Sequence, residues 1–164
     1  MSNRSLRSWL IEIVEGAGFE GSFHITCERE GVPVLGGGAS LSARDLARFG
    51  LLFARRGVGV DGRRVADAAF IEETRRDPGP RWPKPREGMY YSRQTTTNGT
   101  WIGHGGYGGQ YLLTNPDTGI AVVFMAVFEN ESGDRADLYP PLINMMAEVA
   151  TADSTGPGST VIGT

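Results

Sequence analysis

The stretch of this chain whose residues are best suited to catalysis or binding is TWIGHGGYGGQY, residues 100–111, in which five glycines surround His104. The ordinary pKa of an imidazole lies near neutral pH, so His104 can donate a proton, accept one or carry a charge. Glycine is needed where the backbone adopts a positive φ or where another group comes very close. The pattern therefore predicts a β-strand end that opens onto a binding or catalytic site.

Residues 103–108 also match the dinucleotide-binding pattern G-x-G-x-x-G. That pattern binds a pyrophosphate only when a helix follows it, because the phosphates contact the helix N-terminus. Here the following residues, 110–115, are typical of a short strand, and Pro116 ends it. We therefore interpret the match as accidental.

The composition of the chain argues against several other kinds of site. A net charge of −3 without a basic, aromatic cluster gives no indication of nucleic-acid binding. Cys27 is the single cysteine, and the two histidines, His24 and His104, lack the spacing of a zinc site. We therefore predict no metal, no cofactor and no disulfide. Without a secretory signal or an apolar run of bilayer length, the sequence predicts a cytoplasmic chain with no membrane partner.

Four segments have the apolar spacing of amphipathic helices. The clearest begins after Ser42, which with Asp45 has the spacing of a capping box, and it ends at Gly57. The other three are predicted at residues 6–16, 68–76 and 138–150, with Asp67 capping the second of these and Pro140 and Pro141 in the first turn of the last.

The remaining segments predict strands. Residues 22–27 and 32–35 read as a small hairpin that holds His24 as a half-exposed residue. A meander of about four strands is predicted from Met89 onward, with a turn at Asn98-Gly99 and a central strand, residues 120–128, covered on both faces. The fold class is therefore α+β, an antiparallel meander flanked by helices. We predict one domain over residues 1–151 and a disordered tail over residues 152–164.

The order of these features resembles that of the serine β-lactamase and penicillin-binding-protein superfamily. The sequence has a glycine run, SARDLARFG, a DGRR turn, a proline-rich loop, GHGGYGGQ, NPDTG and an apolar strand, in that order. It is most similar to the class C-like branch of esterases, D-aminopeptidase-like and nylon-oligomer-type hydrolases, over residues 36–128. The resemblance implies an incomplete β-lactamase-like fold, of which this chain is the C-terminal part.

The resemblance also implies roles for residues in the glycine-rich stretch. His104-Gly105-Gly106 stands where the family has its third box, a Lys-Thr-Gly-type sequence on a sheet strand. His104 would replace the lysine and face the substrate, and Gly105 and Gly106 would bind the substrate. The Tyr107 backbone N–H would be one of two oxyanion donors. Because Gly105 replaces a hydroxyl residue, the resemblance favours a small-molecule ester or amide over a penicillin-type carboxylate.

The family's other two boxes are absent. No serine in the sequence is followed three residues later by lysine, and there is no Tyr-x-Asn. The single lysine, Lys84, lies among prolines with Arg81 three residues before it. We therefore expect a chain that lacks the nucleophile, is inactive alone, and associates with a complementary N-terminal segment or with itself.

Two alternatives remain open at this stage. Ser40 could be a nucleophile served by His104, with Asp117 or Asp134 as the orienting acid, because triads are assembled in space. A non-catalytic module could instead bind a small ligand or peptide between the aromatic side chains of Trp82, Tyr90, Tyr91, Trp101 and Tyr107.

Overall fold

The computed structural model describes residues 5–34, 36–76, 79–128 and 132–152. Within those residues the chain forms four helices and seven strands. The helices are α1 (Leu6–Ala17), α2 (Ala43–Ala54), α3 (Ala68–Arg76) and α4 (Tyr139–Thr151). The strands are β1 (His24–Ile25), β2 (Ala39–Ser40), β3 (Tyr90–Ser92), β4 (Thr95–Thr97), β5 (Ile102–Gly106), β6 (Gln110–Asn115) and β7 (Ile120–Met125). The predicted α+β class and the antiparallel meander flanked by helices are confirmed.

The main sheet has five strands in the order β3-β4-β5-β6-β7, each antiparallel to its neighbour. The prediction of about four strands was one short, because a tight hairpin joins β3 to β4 through Arg93 and Gln94. Both residues have positive φ, 45° and 67°, as a type I′ turn requires. Neither is a residue that usually marks such a turn, so the sequence carried no signal for it. The predicted turn at Asn98-Gly99 lies in the connection from β4 to β5.

Helices cover the two faces of this sheet. On the front face, α2 packs so closely that a Cβ on Gly50 would lie 2.6 Å from Leu112 and 2.9 Å from Thr114. On the rear face, α4 packs against side chains of β6 and β7. The rear core consists of Trp101, Tyr111, Leu113, Tyr139, Leu142, Ile143 and Met146.

The position predicted for the apolar run 120–128 was wrong in one respect. Its strand, β7, has helices on both faces, as predicted, but it is the last strand in the order and not a central one. Within the described part of the chain, its outer edge has no strand partner. An apolar strand with an open edge is available for pairing with another chain segment.

The small N-terminal sheet differs from the predicted hairpin. His24 pairs with Ser40 and Ile25 with Ala39, so β1 takes β2 as its partner. The predicted pairing of residues 22–27 with 32–35 survives only as a bridge between Cys27 and Pro33. Leu35, part of that predicted strand, lies outside the described residues. His24 is exposed.

The N-terminus of α2 is where the sequence has its clearest capping signal. Ser42 is the N-cap, and its Oγ accepts the Asp45 N–H at 3.1 Å. The buried Asp45 carboxylate does not complete the predicted capping box. Instead it accepts the N–H groups of Glu20 and Gly21, each at 3.0 Å, and so fixes the loop after α1 to the start of α2.

This network leads to a prediction about acid stability. The Glu20 N–H is the largest influence holding the pKa of Asp45 below its usual 3.8, with Ser42 and Arg48 acting in the same direction against desolvation. A depressed folded-state pKa contributes stability that is present above the unfolded pKa and is lost as pH falls through the folded value. We expect Asp45→Asn to lower Tm at pH 7 by roughly 5 °C or more and to make the acid-induced loss shallower.

The measurement is thermal unfolding between pH 7 and pH 2, followed by circular dichroism. Asp67→Asn is the matched control, because the exposed Asp67 accepts a single backbone N–H, that of Ala69, at 2.8 Å. A Tm loss no larger than that of the control would contradict the role assigned to Asp45.

The predicted C-terminal helix is confirmed. Helix α4 has Pro140 and Pro141 in its first turn. Residues 153–164, most of the predicted tail, lie outside the described residues. None of the described helices has the length and apolar character needed to cross a membrane.

Candidate active site

His104 lies on β5, the third of the five strands. Its partner on the neighbouring strand β6 is Leu112, and paired residues of an antiparallel sheet have their side chains on the same face. The His104 side chain is therefore on the front face, which α2 covers over β6 and β7. The imidazole itself is exposed. The structure therefore places the predicted catalytic histidine on a strand paired on both sides, with its side chain open to solvent.

The hairpin tip after β5 is a tight turn over residues 106–109. The Gly109 N–H donates to the Gly106 carbonyl at 3.2 Å, and neither Tyr107 nor Gly108 has a positive φ, which is the geometry of a type I turn. Gly109 has φ +89° and lies against the Phe128 ring, so both reasons for glycine apply there.

The segment after β7 holds this tip from outside. The N–H groups of Ala126 and Phe128 donate to the carbonyls of Gly109 and Gly108, each at 3.1 Å. The Gly133 N–H donates to the Tyr107 carbonyl at 2.8 Å. All three bonds use carbonyls of the tip. The Tyr107 N–H donates to no acceptor among the described residues, and the Tyr107 side chain is 74% exposed.

The charge state of His104 depends on its surroundings. Although the side chain reaches solvent, desolvation of part of the ring lowers the pKa of His104 below its usual 6.5, and the positive charge of Arg86 lowers it further. The Gly105 carbonyl acts in the opposite direction. The net effect favours a neutral imidazole at pH 7, which can donate one hydrogen bond and accept another.

The predicted substrate-lining glycines, Gly105 and Gly106, follow His104 on the same strand. A Cβ on Gly105 would lie 2.8 Å from the Tyr111 ring on the rear face. Glycine at position 105 is therefore explained by packing behind the strand. Gly106 begins the turn that carries the Tyr107 N–H.

Among the described residues, no hydrogen bond joins any two of the residues considered for a triad, Ser40, His104, Asp117 and Asp134. Ser40 pairs with His24 in the small sheet. Asp117 lies in the β6–β7 turn, at the opposite end of β6 from the hairpin tip, and binds Arg56 and Arg75. Asp134 binds Arg86. Each of the two acids therefore already has a guanidinium partner.

The aromatic residues considered for a binding module have different environments. Trp101 is 2% exposed and belongs to the rear core. Trp82 packs edge-on against Tyr91, and Arg81 lies over the Tyr90 ring. Of the five aromatic side chains, that of Tyr107 is the one largely open to solvent. In the part of the chain that the structure describes, no three His, Cys, Asp or Glu side chains are grouped as metal ligands.

A comparison with protein families shows which family this chain belongs to. A family model described as Beta-lactamase matches residues 14–141. The chain belongs to the beta-lactamase family. A search of curated proteins found no match. The beta-lactamase match includes α2, all five strands of the main sheet and the His104 hairpin, and membership supports a hydrolase of the serine type.

Sequence reasoning missed one residue beside this beta-lactamase-family site. Arg86 influences His104, but its own partners come from separate segments of the chain, at residues 82, 134 and 139. No local spacing marks such a residue, because its position depends on contacts made only in the folded chain.

Proposed function

We propose that this chain supplies the third-box strand and the oxyanion wall of a serine hydrolase that cleaves a small ester or amide through an acyl-enzyme. The attacking serine and its activating lysine would come from a polypeptide segment whose sequence is not contained here. Family membership supports the reaction class. The hairpin of β5 and β6 supports the assignment of the oxyanion wall to this chain and of the nucleophile to another segment.

One observation carries the proposal: the exposed His104 imidazole stands three residues before a backbone N–H, that of Tyr107, which makes no internal hydrogen bond among the described residues. An oxyanion donor must be free to bind the substrate oxygen and must already be held in place. The Tyr107 N–H meets the first condition, and the three carbonyl bonds of the hairpin tip meet the second.

The roles follow from the chemistry of acyl transfer. The carbonyl oxygen of the substrate gains negative charge as the serine attacks, and the Tyr107 N–H would donate to it. A neutral His104 would donate a hydrogen bond to the substrate or accept one from it. Gly106, on the same face of the strand as His104, would let the substrate lie close to the strand, since it carries no side chain.

The chain's own groups do not provide the activated nucleophile that the family uses. The sequence has no Ser-x-x-Lys. The side chain of Lys84 is 82% exposed on a loop and lies 3.8 Å from Glu87, so its amine has an ordinary solvated environment.

A complementary N-terminal segment, or a second copy of the chain, is the proposed protein partner. The outer edge of β7 has no partner strand within the described residues, and nearby Met125 and Val127 are 41% and 91% exposed. On α1, Leu6, Trp9 and Ile11 are also exposed. Burial of such apolar surface would drive association.

The proposal predicts that this chain alone hydrolyses a p-nitrophenyl ester only at the rate of the buffer. A fluorophosphonate probe for active serines is expected not to label it. Co-expression with an N-terminal segment of a beta-lactamase-family hydrolase that contains Ser-x-x-Lys should give hydrolysis, and His104→Ala should reduce it by at least about 10-fold. His24→Ala is the matched control, because His24 lies on the other sheet.

Two outcomes would contradict the proposal. One is turnover by the isolated chain that is abolished by Ser40→Ala, Ser42→Ala or His104→Ala, since this would make the chain a complete enzyme. The other is a reconstituted activity that His104→Ala leaves unchanged.

A further inference from the structure

A largely buried arginine, Arg86, lies directly behind the His104 strand. The loop of residues 79–88 places the Arg86 guanidinium between two aromatic rings, 4.6 Å from the centre of Trp82 and 5.1 Å from that of Tyr139. The Arg86 side chain is 12% exposed. Cation–π contacts of this kind hold the guanidinium plane in a fixed place.

Asp134 completes the clamp. Arg86 Nε donates to both Asp134 carboxylate oxygens at 3.1 Å, and Nη2 donates to Oδ1 at 2.8 Å. Arg86 Nη1 reaches Thr96 Oγ1 on β4 at 3.5 Å. The ion pair therefore joins the proline-rich loop to the segment after β7, on the rear face of the sheet.

The clamp also contacts the site strand. A Cβ on Gly105 would lie 3.4 Å from Arg86 Nη2, so the guanidinium lies within van der Waals distance of the rear side of β5. Gly133, the neighbour of Asp134, donates its N–H to the Tyr107 carbonyl. The His-Gly-Gly strand and the turn of Tyr107 are thus in contact with Arg86 or with the segment that contains Asp134.

We propose that Arg86 is a positioning residue for this site: it supplies a fixed positive charge behind Gly105 and, through Asp134, holds the turn that carries the Tyr107 N–H. Its catalytic meaning rests on the proposed function. Where the family's third box carries a lysine on the strand, this chain would keep its permanent cation behind the strand and leave the front face to an uncharged imidazole.

The surroundings of the clamp support this proposal. Tyr139, over whose ring Arg86 lies, is 2% exposed, and this burial raises the pKa of Tyr139 to about 12. In such poorly hydrated surroundings the Arg86 charge is weakly screened. Burial and then the Asp134 charge raise the pKa of Tyr111, whose Oη has no hydrogen-bond partner among the described residues.

The charged groups that bear on His104 are few. Arg86 acts on it from the rear loop, and Asp134, from the segment after β7, partly neutralises Arg86. The β6 residue opposite His104 is Leu112, and the β4 strand on its other side consists of threonines. A substitution that changes the charge of Arg86 or Asp134 should therefore shift the measured pKa of His104.

The test is an NMR titration of the two imidazoles in the full chain, in which His24 serves as an internal reference on the other sheet. We expect Arg86→Gln to raise the measured pKa of His104 toward about 6.5. We expect Asp134→Asn to lower it below the wild-type value, because the arginine charge is then unopposed. Arg86→Lys should keep the pKa of His104 low, since lysine keeps the positive charge. Hydrogen exchange of the Tyr107 amide should become faster, since lysine lacks the paired N–H donors with which the guanidinium holds Asp134. His24 should titrate unchanged in all three.

A purely structural arginine would not shift His104 in opposite directions in the Gln and Asn variants. Unchanged His104 titration in a folded Arg86→Gln variant, or a shift of the same sign in both variants, would overturn the proposal. If Arg86→Gln does not fold, Asp134→Asn decides alone: a fall in the His104 pKa supports the proposal and no change overturns it. None of these readouts uses turnover, so a failure of the proposed hydrolase function would be seen separately.

Discussion

Tyr107→Pro is expected to reduce kcat for ester hydrolysis by about 10²- to 10³-fold in the hydrolase assembled from this chain and a Ser-x-x-Lys segment. Proline has no backbone N–H, so the substitution removes the proposed oxyanion donor and nothing else from the main chain. The loss should appear mainly in kcat, because the donor binds charge that develops only in the transition state.

The geometry of the turn allows proline at position 107 without loss of the hydrogen bonds that hold the turn. Tyr107 is the second residue of a type I turn, a position where proline is favoured, and the Gly109 N–H that closes the turn is unaffected. The Tyr107 carbonyl still accepts the Gly133 N–H. We therefore expect the folded state to be retained, as judged by circular dichroism and Tm.

Tyr107→Ala is the matched control, because it keeps the N–H and removes the exposed ring. A fall in kcat of the same size in the alanine variant would assign the effect to the ring and contradict the oxyanion role. Wild-type kcat in the proline variant would show that the turnover does not depend on this donor.

Gly57→Ala is expected to lower the free energy of unfolding by about 3 kcal/mol or more, from strain of the left-handed backbone and from overpacking. Gly57 has φ +83°, and a Cβ there would overlap the Ala66 carbonyl oxygen and lie 2.7 Å from the Ala66 carbonyl carbon. Backbone atoms cannot move aside as a flexible side chain can. The Gly57 N–H also donates to Leu52 at 2.7 Å and ends α2.

Gly62→Ala separates the two causes. Gly62 has a similar φ, +79°, but a Cβ there would meet nothing within 4 Å. It should therefore cost only the backbone strain, about 1 kcal/mol. Urea unfolding of both variants measures the difference, and equal losses would contradict the assigned clash at Ala66.

The helices could be predicted from the sequence because their signals are local. Ser42 caps α2 and Asp67 accepts the N–H of Ala69 at the start of α3, as their positions in the sequence indicate. The end of α2 was predicted less well. The left-handed position that follows its C-cap is taken by Arg56, φ 51°, one residue before Gly57. Arg56 is held there by ion pairs with Glu72 and Asp117, both of which are far from it in the sequence.

The candidate site was only partly accessible to the same reasoning. The glycines and His104 form a local pattern, and the alternation of a strand puts His104 and Gly105 on opposite faces. The order of the strands, the free Tyr107 N–H and the Arg86–Asp134 pair all depend on contacts between distant segments. Periodicity and spacing contain no information about such contacts, so β7 was placed in the wrong position and Arg86 was overlooked.

The outer edge of β7, which has no strand partner among the described residues, has a consequence for handling the protein. Natural edge strands are usually protected by lysine, proline or a bulge, and the run IAVVFMAVF at residues 120–128 contains neither lysine nor proline. Short apolar segments of this composition stack readily into cross-β fibrils. We expect the chain, when stored concentrated without a partner, to form thioflavin-positive aggregates, and Met125→Lys, at a position that is 41% exposed, to delay them.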